Sequence, residues 1–386
     1  MRKIIAIFIV LLMSLSLVVV GCGDKTETQS NEGKQSADNT QGEKQEEVKT
    51  YTINITSPLA EGAAQSKGLI AWTQELEKRT NGQVKIGQIT WNGATLKATN
   101  ILEGLGDGVV DAAFVSNVYH PTKTPLSNAL QPVFIDDLAN AAPVMQELYN
   151  TVPELREEWL QHNVVPVAWF NGADQVLMTD FEFDTMEELK GKKVRAIGRV
   201  MPEAISRLGG IPVSISSADS YGALDKGTVD GIAGFPAYAL VSNKMAEVSK
   251  QITDFRYGGW CQWFGIAFNK DVYDELPDNV KQVIAEIAAI PGEVETQANY
   301  DDAMEGFKMA RELGQRIVQL TPEEAKRWQD VIDPPSVWED GIKAAEEAGY
   351  ENVRELMDTA VTMLKEHNAK NPHKTLVEQF FELEGK

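Results

Sequence analysis

Residues 105–112 read LGDGVVDA, and residues 224–231 read LDKGTVDG. Both fit Leu-x-x-Gly-x-Val-Asp followed by a small residue, and they lie about 120 positions apart. Each follows a helix-like segment and precedes a short apolar strand, Ala113-Phe-Val115 in one case and Ile232-Ala233 in the other. The glycine suits the left-handed residue after a helix, and the aspartate suits the turn into the next strand. Coincidence at a common helix-to-strand junction is the alternative. Two copies in one chain fit two related lobes better than one.

Working outward, Tyr51-Thr-Ile-Asn-Ile55 alternates as a strand and ends at Thr56-Ser57-Pro58. Leu69, Ile70, Trp72 and Leu76 give helical spacing over 64–79, Asn81-Gly82 stops it, and Val84-Lys-Ile86 begins another strand. Strand, helix, strand opens an α/β lobe. After residue 270 the pattern turns helical through Val280, Val283, Ile284 and Ile287. Pro291-Gly292 kinks or interrupts it, and it resumes to about Ile317. Thr321-Pro-Glu-Glu324 starts a further helix, and 336–368 holds two or three amphipathic ones.

The N-terminus is of another kind. Arg2 and Lys3 precede an apolar run from Ile4 to Val20, which closes on Val19-Val20-Gly21-Cys22. This pattern predicts a secretory signal peptide over 1–21 and a lipid-modified Cys22 resembling the bacterial lipobox. An ordinary signal peptide with a chance cysteine is the alternative. Residues 22–48 are polar and predict a disordered linker between anchor and domain. The remaining cysteine is Cys261, so the mature chain can form no internal disulfide. With 36 basic against 57 acidic residues and a net charge of −21, nucleic acid is excluded as a partner.

Enzymatic patterns are scarce. The four histidines, His120, His162, His367 and His373, form no metal-ligand spacing, and neither a nucleophile elbow nor a phosphate loop is present. No catalytic residue, metal or cofactor is expected. Aromatic and amide residues do collect at predicted strand ends: Ser57, Trp91-Asn92, Ser116-Asn117 with Tyr119, Asn171, Phe235 with Tyr238, and Trp260 with Trp263. Ligands of open α/β sheets bind at the carboxyl ends of strands, so these residues are candidates for a cleft. Core packing is the competing role for each. Arg195, within GKKVRAIGRV at 191–200, sits beside Val194, Ala196 and Ile197 in what reads as a buried strand. On its own it fits a solvated edge arginine as well as an anion anchor. Lys193 reads as solvent-facing, and Arg199 fits either the surface or a cleft rim.

Several pieces taken in order resemble the extracytoplasmic solute receptors of tripartite ATP-independent periplasmic (TRAP) transporters, of the DctP-like kind. They are WTQELEKRTNGQVKI (72–86), LEGLGDGVVD (102–111), ELKGKKVR (188–195), DSYGALDKGTVDG (219–231) and Phe268-Asn-Lys through Leu276-Pro, spanning roughly 50–320. The resemblance implies a two-lobed, periplasmic-binding-protein-like α/β fold (type II-like) with crossing strands, a long lobe-spanning helix and a helical C-terminal region. The expected division is 49–172 with about 259–300 in the first lobe, and 173–258 with about 301–386 in the second. It also implies that Arg195 pairs with a ligand carboxylate, a geometry that lysine cannot reproduce.

The chain departs from the family pattern in two places. Asp174 and Gln175 stand where many members carry a second arginine, and Gly234-Phe235 stands where many carry an asparagine. Fewer polar clamps and an added phenylalanine point to a monocarboxylate, aromatic or branched, rather than a C4-dicarboxylate, with Gln175 as a further contact. The expected partners are a small organic acid, TRAP permease subunits and, through the lipid anchor, the cell membrane, with the receptor a monomer outside the cytoplasm. A receptor for an ATP-driven importer, a surface-anchored ligand sensor and an anchored hydrolase are the alternatives.

Overall fold

The computed structural model describes residues 49–131, 141–172, 174–255, 263–372 and 374–385. The expected leader, Cys22, the linker, Trp260 and Cys261 lie outside the described residues.

Among the described residues eleven strands form two sheets. The first contains β1 (Tyr51–Thr56), β2 (Val84–Thr90), β3 (Ala112–Ser116), β4 (Val164–Trp169) and β10 (Phe264–Asn269), in the order β2-β1-β3-β10-β4. The second contains β5 (Gln175–Thr179), β6 (Lys193–Arg195), β7 (Ile211–Val213), β8 (Gly231–Pro236), β9 (Gln251–Asp254) and β11 (Arg316–Val318), in the order β11-β9-β5-β8-β6-β7. The protein is therefore α/β with two lobes.

The two echoed octapeptides do the same work in each lobe. The first helix, Ile101–Gly106, ends with Gly108 N–H on Leu105 O at 3.1 Å and Val109 N–H on Gly104 O at 2.9 Å. The second, Ser220–Asp225, ends with Gly227 N–H on Leu224 O at 3.0 Å and Thr228 N–H on Ala223 O at 2.9 Å. This paired cap needs a left-handed residue, and Gly108 and Gly227 have φ of 75° and 64°. The aspartates then fix the next strand to its parallel neighbour. Asp111 N–H donates to Asn54 O at 3.0 Å, while Asn54 N–H donates to Asp111 Oδ2 at 2.7 Å. Asp230 N–H donates to Lys193 O, and Lys193 N–H donates to Asp230 Oδ2, both at 2.7 Å.

The relation extends to the sheets. β3 has parallel β1 on one side and antiparallel β10 on the other; β8 has parallel β6 and antiparallel β5. In each sheet the antiparallel partner is the first strand after the chain crosses from the other lobe. Central strands are covered on both faces. Along β3, Ala112 and Phe114 pack into one core while Ala113 and Val115 pack into another. Along β5, Val176 and Met178 enter one core and Leu177 the other.

Pro291 lies in the first turn of a new helix, Ile290–Glu312, separate from Asp278–Glu286, so the helical pattern is interrupted there rather than kinked. The helical C-terminal region departs from expectation in two places. That long helix stops before Ile317: Gly314 takes φ 78°, Gln315 N–H returns to Ala310 O, and Arg316–Val318 becomes strand β11. The segment 334–370 does not stay with the second lobe. Ile342, Ala345, Met357, Ala360 and Leu364 pack with Leu126, Met145 and Trp159 of the first, because their apolar stripe matches that core. The final helix, Leu376–Leu383, returns to the second lobe through Leu376, Val377 and Phe380.

Asp230→Ala removes a carboxylate acceptor from the β6 backbone two residues before Arg195. The expected result is a loss of about 1–2 kcal/mol in unfolding free energy by urea denaturation, with Asp111→Ala costing a similar amount.

Candidate functional site

Equivalent strand ends from the two lobes face a shared cavity. Pro58 and Leu59 follow β1, Arg195 ends β6, Tyr119 follows β3, and Tyr238 follows β8. The cavity encloses about 580 Å³ of empty space, counting the solvent at its mouth. Phe114, Phe235 and Phe264 supply broad apolar walls, and Gln65, Gln175 and Asn243 supply neutral amides. Arg195 is the one charged side chain on its lining among the described residues.

Arg195 is 1 % exposed. Its Nε donates to Ile215 O at 3.0 Å and its Nη1 to Ala233 O at 3.2 Å. The guanidinium carbon stands 4.5 Å from the centroid of the Phe235 ring, a cation–π contact. Among the described residues no carboxylate lies within ion-pair distance, and Nη2 makes no protein hydrogen bond. Burial pulls the guanidinium down to about 10, while Tyr119 and Tyr238 act in the opposite sense. The group is still charged at neutral pH. One N–H of Nη1 and both of Nη2 are left for an anion, an arrangement that suits the two oxygens of a carboxylate.

The departures noted in the sequence have specific places. Asp174 Oδ2 accepts from Leu376 N–H at 2.8 Å, so this carboxylate caps the last helix and does not line the cavity. Gln175 does line it. Gly234 takes φ 77°, and a Cβ there would stand 3.4 Å from Gln175 Oε1 and 3.7 Å from Arg195 Nη1.

Of the thirteen residues read as ligand contacts, Arg195, Tyr119, Gln175, Phe235 and Tyr238 meet on this lining. The other described ones lie elsewhere. Trp263 is fully buried and donates its indole N–H to Leu130 O at 2.9 Å. Asn117 fastens the loop after β3, giving Nδ2 to Ser127 O and accepting Trp263 N–H, both at 3.0 Å. Asn171 joins the crossing strand to the long helix through Gly292 O at 3.0 Å and Thr296 Oγ1 at 2.9 Å. Ser57 and Ser116 are buried beside the cavity-lining residues rather than on the lining, and Ser57 Oγ accepts Leu59 N–H at 3.2 Å. Trp91 packs against the first-lobe core, and Asn92 takes a left-handed turn at φ 57°. Lys193 is exposed, and Arg199 reaches Asp340 O at 3.4 Å instead of the cavity.

Sequence reasoning missed Gln65, Phe114, Asn243 and Phe264. Phe114 and Phe264 read as ordinary strand residues; only the position of their strands at the lobe junction reveals them.

The family model for bacterial extracellular solute-binding protein, family 7 (DctP), matches residues 56–370. The chain belongs to this family. It is a solute-binding protein of TRAP transport, not an enzyme, and it acts outside the cytoplasm. A solute-binding protein of Albidiferax ferrireducens is 24% identical over 288 residues, which are 73% of this chain and 82% of that one. The C4-dicarboxylate-binding periplasmic protein of Rhodobacter capsulatus is 23% identical over 292 residues, 73% of this chain and 84% of the relative. Among solved structures, a marine-metagenome TRAP protein specific for aromatic acids, in complex with 3-hydroxybenzoate, matches with a TM-score of 0.73 at 23% identity. It covers 82% of this DctP-family chain and 99% of its own. A Rhodoferax ferrireducens TRAP protein with copurified benzoate gives a TM-score of 0.73 at 21% identity, covering 83% and 100%. At these identities the structures establish the shared fold.

Asn117→Ala leaves the buried Trp263 N–H without its acceptor. The expected cost is about 2 kcal/mol by chemical denaturation, with a smaller effect on ligand affinity than any change at Arg195.

Proposed function

We propose that this receptor captures a monocarboxylate with an aromatic or branched apolar body and delivers it to a TRAP permease. The observation that supports this most is the solitary buried charge of Arg195, set among phenylalanine and tyrosine rings. A dicarboxylate would bring a second negative charge into a lining with no second cation among the described residues, which is costly in a desolvated site. A single carboxylate on Arg195 leaves the rest of the ligand against Phe114, Phe235 and Phe264. The amides of Gln65, Gln175 and Asn243 then suit one or two neutral polar substituents. The two aromatic-acid structures share the fold and lend analogy to this reading.

In this reading ligand binding biases the two lobes toward closure, the ligand serving as the anion that the buried guanidinium lacks. Cys22, following Val19-Val20-Gly21, carries a lipid that holds the receptor at the outer face of the cell membrane, with 22–48 as its leash. The receptor works as a monomer.

Two experiments test these assignments. Thermal-shift screening is expected to show stabilisation by benzoate, 3-hydroxybenzoate or branched monocarboxylates, but not by succinate or malate. Stabilisation by the dicarboxylates alone would overturn the ligand class. Arg195→Ala is expected to weaken acid binding on the order of 100–1000-fold by calorimetry, and Arg195→Lys to fail to restore it. Separately, Cys22→Ser is expected to move the protein from the membrane fraction to the soluble extracytoplasmic fraction.

A further inference from the structure

Behind the cavity wall, the first crossing between the sheets passes through Asn171 and Gly172, and helix Ile290–Glu312 grips it. Asn171 Oδ1 accepts Ala142 N–H at 3.0 Å, in addition to its two bonds to the long helix. Gly172, at φ 75°, donates its N–H to Glu295 Oε2 at 3.3 Å. Its carbonyl accepts from Asn299 Nδ2 at 3.4 Å. The close approach of helix Ala64–Arg79 completes the enclosure: a Cβ on Gly68 would fall 2.5 Å from Pro291 O.

Glu295 is wholly buried here, 0 % exposed. Burial disfavours the charged carboxylate more strongly than hydrogen bonds from Gly172, Asn171, Asn299 and Gln65 favour it, and no cation is among the groups acting on it. Charged residues on the packed elements are engaged elsewhere. Lys67 pairs with Asp302 at 2.8 Å, Asp301 accepts from Gln297, and Asp174 caps the last helix. Glu293, on the same helix, is exposed. Three oxygens in the cluster, Gln65 Oε1, Glu295 Oε1 and Asn299 Oδ1, are buried with no hydrogen-bond donor. A hydrogen on Glu295 Oε1 would give one of the two amide oxygens its donor and remove a buried charge that has no counter-ion among the described residues.

We propose that Glu295 is a positioning residue held as a neutral carboxylic acid, whose O–H supplies the donor this cluster lacks. It thereby ties the first crossing, the long helix and Gln65 on the cavity wall into one unit. Burial raises the carboxyl from its ordinary 4.5 to about 8, in accord with this geometry. The neutral form is favoured in the folded chain. The stabilisation is therefore full below the ordinary carboxylate range and is lost as pH rises through about 8. The inference rests on the receptor fold and not on which acid the cavity takes.

The test uses the mature full-length receptor without ligand. With glutamate labelled at its carboxyl carbon, carbon-13 NMR is expected to show one resonance titrating near pH 8, absent from Glu295→Gln. Between pH 5 and 9 the wild type is expected to lose about 5–10 °C in melting midpoint relative to Glu295→Gln. Hydrogen exchange over residues 170–175, corrected for intrinsic rate, is expected to rise about tenfold through pH 8 in the wild type alone. Burial also raises Glu158, to about 7, so the titration is run in a Glu158→Gln background as well. Parallel melting curves, or a Glu158→Gln protein whose glutamates all titrate below pH 6, would overturn the proposal. Should Glu295→Gln fail to fold, the titration in Glu158→Gln decides by itself. A failure of benzoate to bind would count against the ligand class and leave these readouts untouched.

Discussion

A guanidinium taken almost wholly out of water must be answered by dipoles or charge on every side. For Arg195 the protein supplies two backbone carbonyls, the face of Phe235 and two tyrosines, but no carboxylate among the described residues. These contacts keep the charge in place against burial, which lowers its proton affinity. The cavity around it follows from that imbalance. Among the described residues its walls are largely apolar and its other polar groups are neutral.

Holding that charge at the lobe junction requires the sheets to be registered with care. The Asp230–Lys193 backbone pair sets the β6–β8 register, and Arg195 lies two residues on. The Asp111–Asn54 pair sets β1 beside β3, which brings Pro58 and Leu59 to the same cavity from the other side. The same short motif, used twice, thus places both halves of the site. Between the halves, the crossing at Asn171–Gly172 is held by hydrogen bonds from the long helix rather than by bulk packing.

Much of this was legible in the residues. The repeated Gly-x-Val-Asp fixes cap geometry and strand register locally, and local geometry is what sequence reports well. Arg195 alone fitted a solvated edge arginine, and it was the family resemblance that set it apart; its burial is a tertiary fact. Trp263, Asn117 and Asn171 misled because a buried amide or indole with internal partners looks, in sequence, like one that awaits a ligand. Only tertiary distances separate Trp263 on Leu130 O from Phe264, its neighbour, on the cavity. Glu295 was illegible for a similar reason: its helix is rich in exposed acids, and nothing local marks the one that faces inward. The C-terminal helices read correctly as amphipathic, but an apolar stripe does not state which core it will cover.

The placement of β10 has a further effect on how the chain comes together. It sits between β3 and β4, so those two strands share no neighbour until residues 264–269 exist. In the second lobe β11, from beyond the long helix, adds only at the edge, beside a β9 already paired with β5. Contacts of such high sequence separation make closure late and slow relative to synthesis. The first sheet becomes continuous only after five of the six strands of the second have been made.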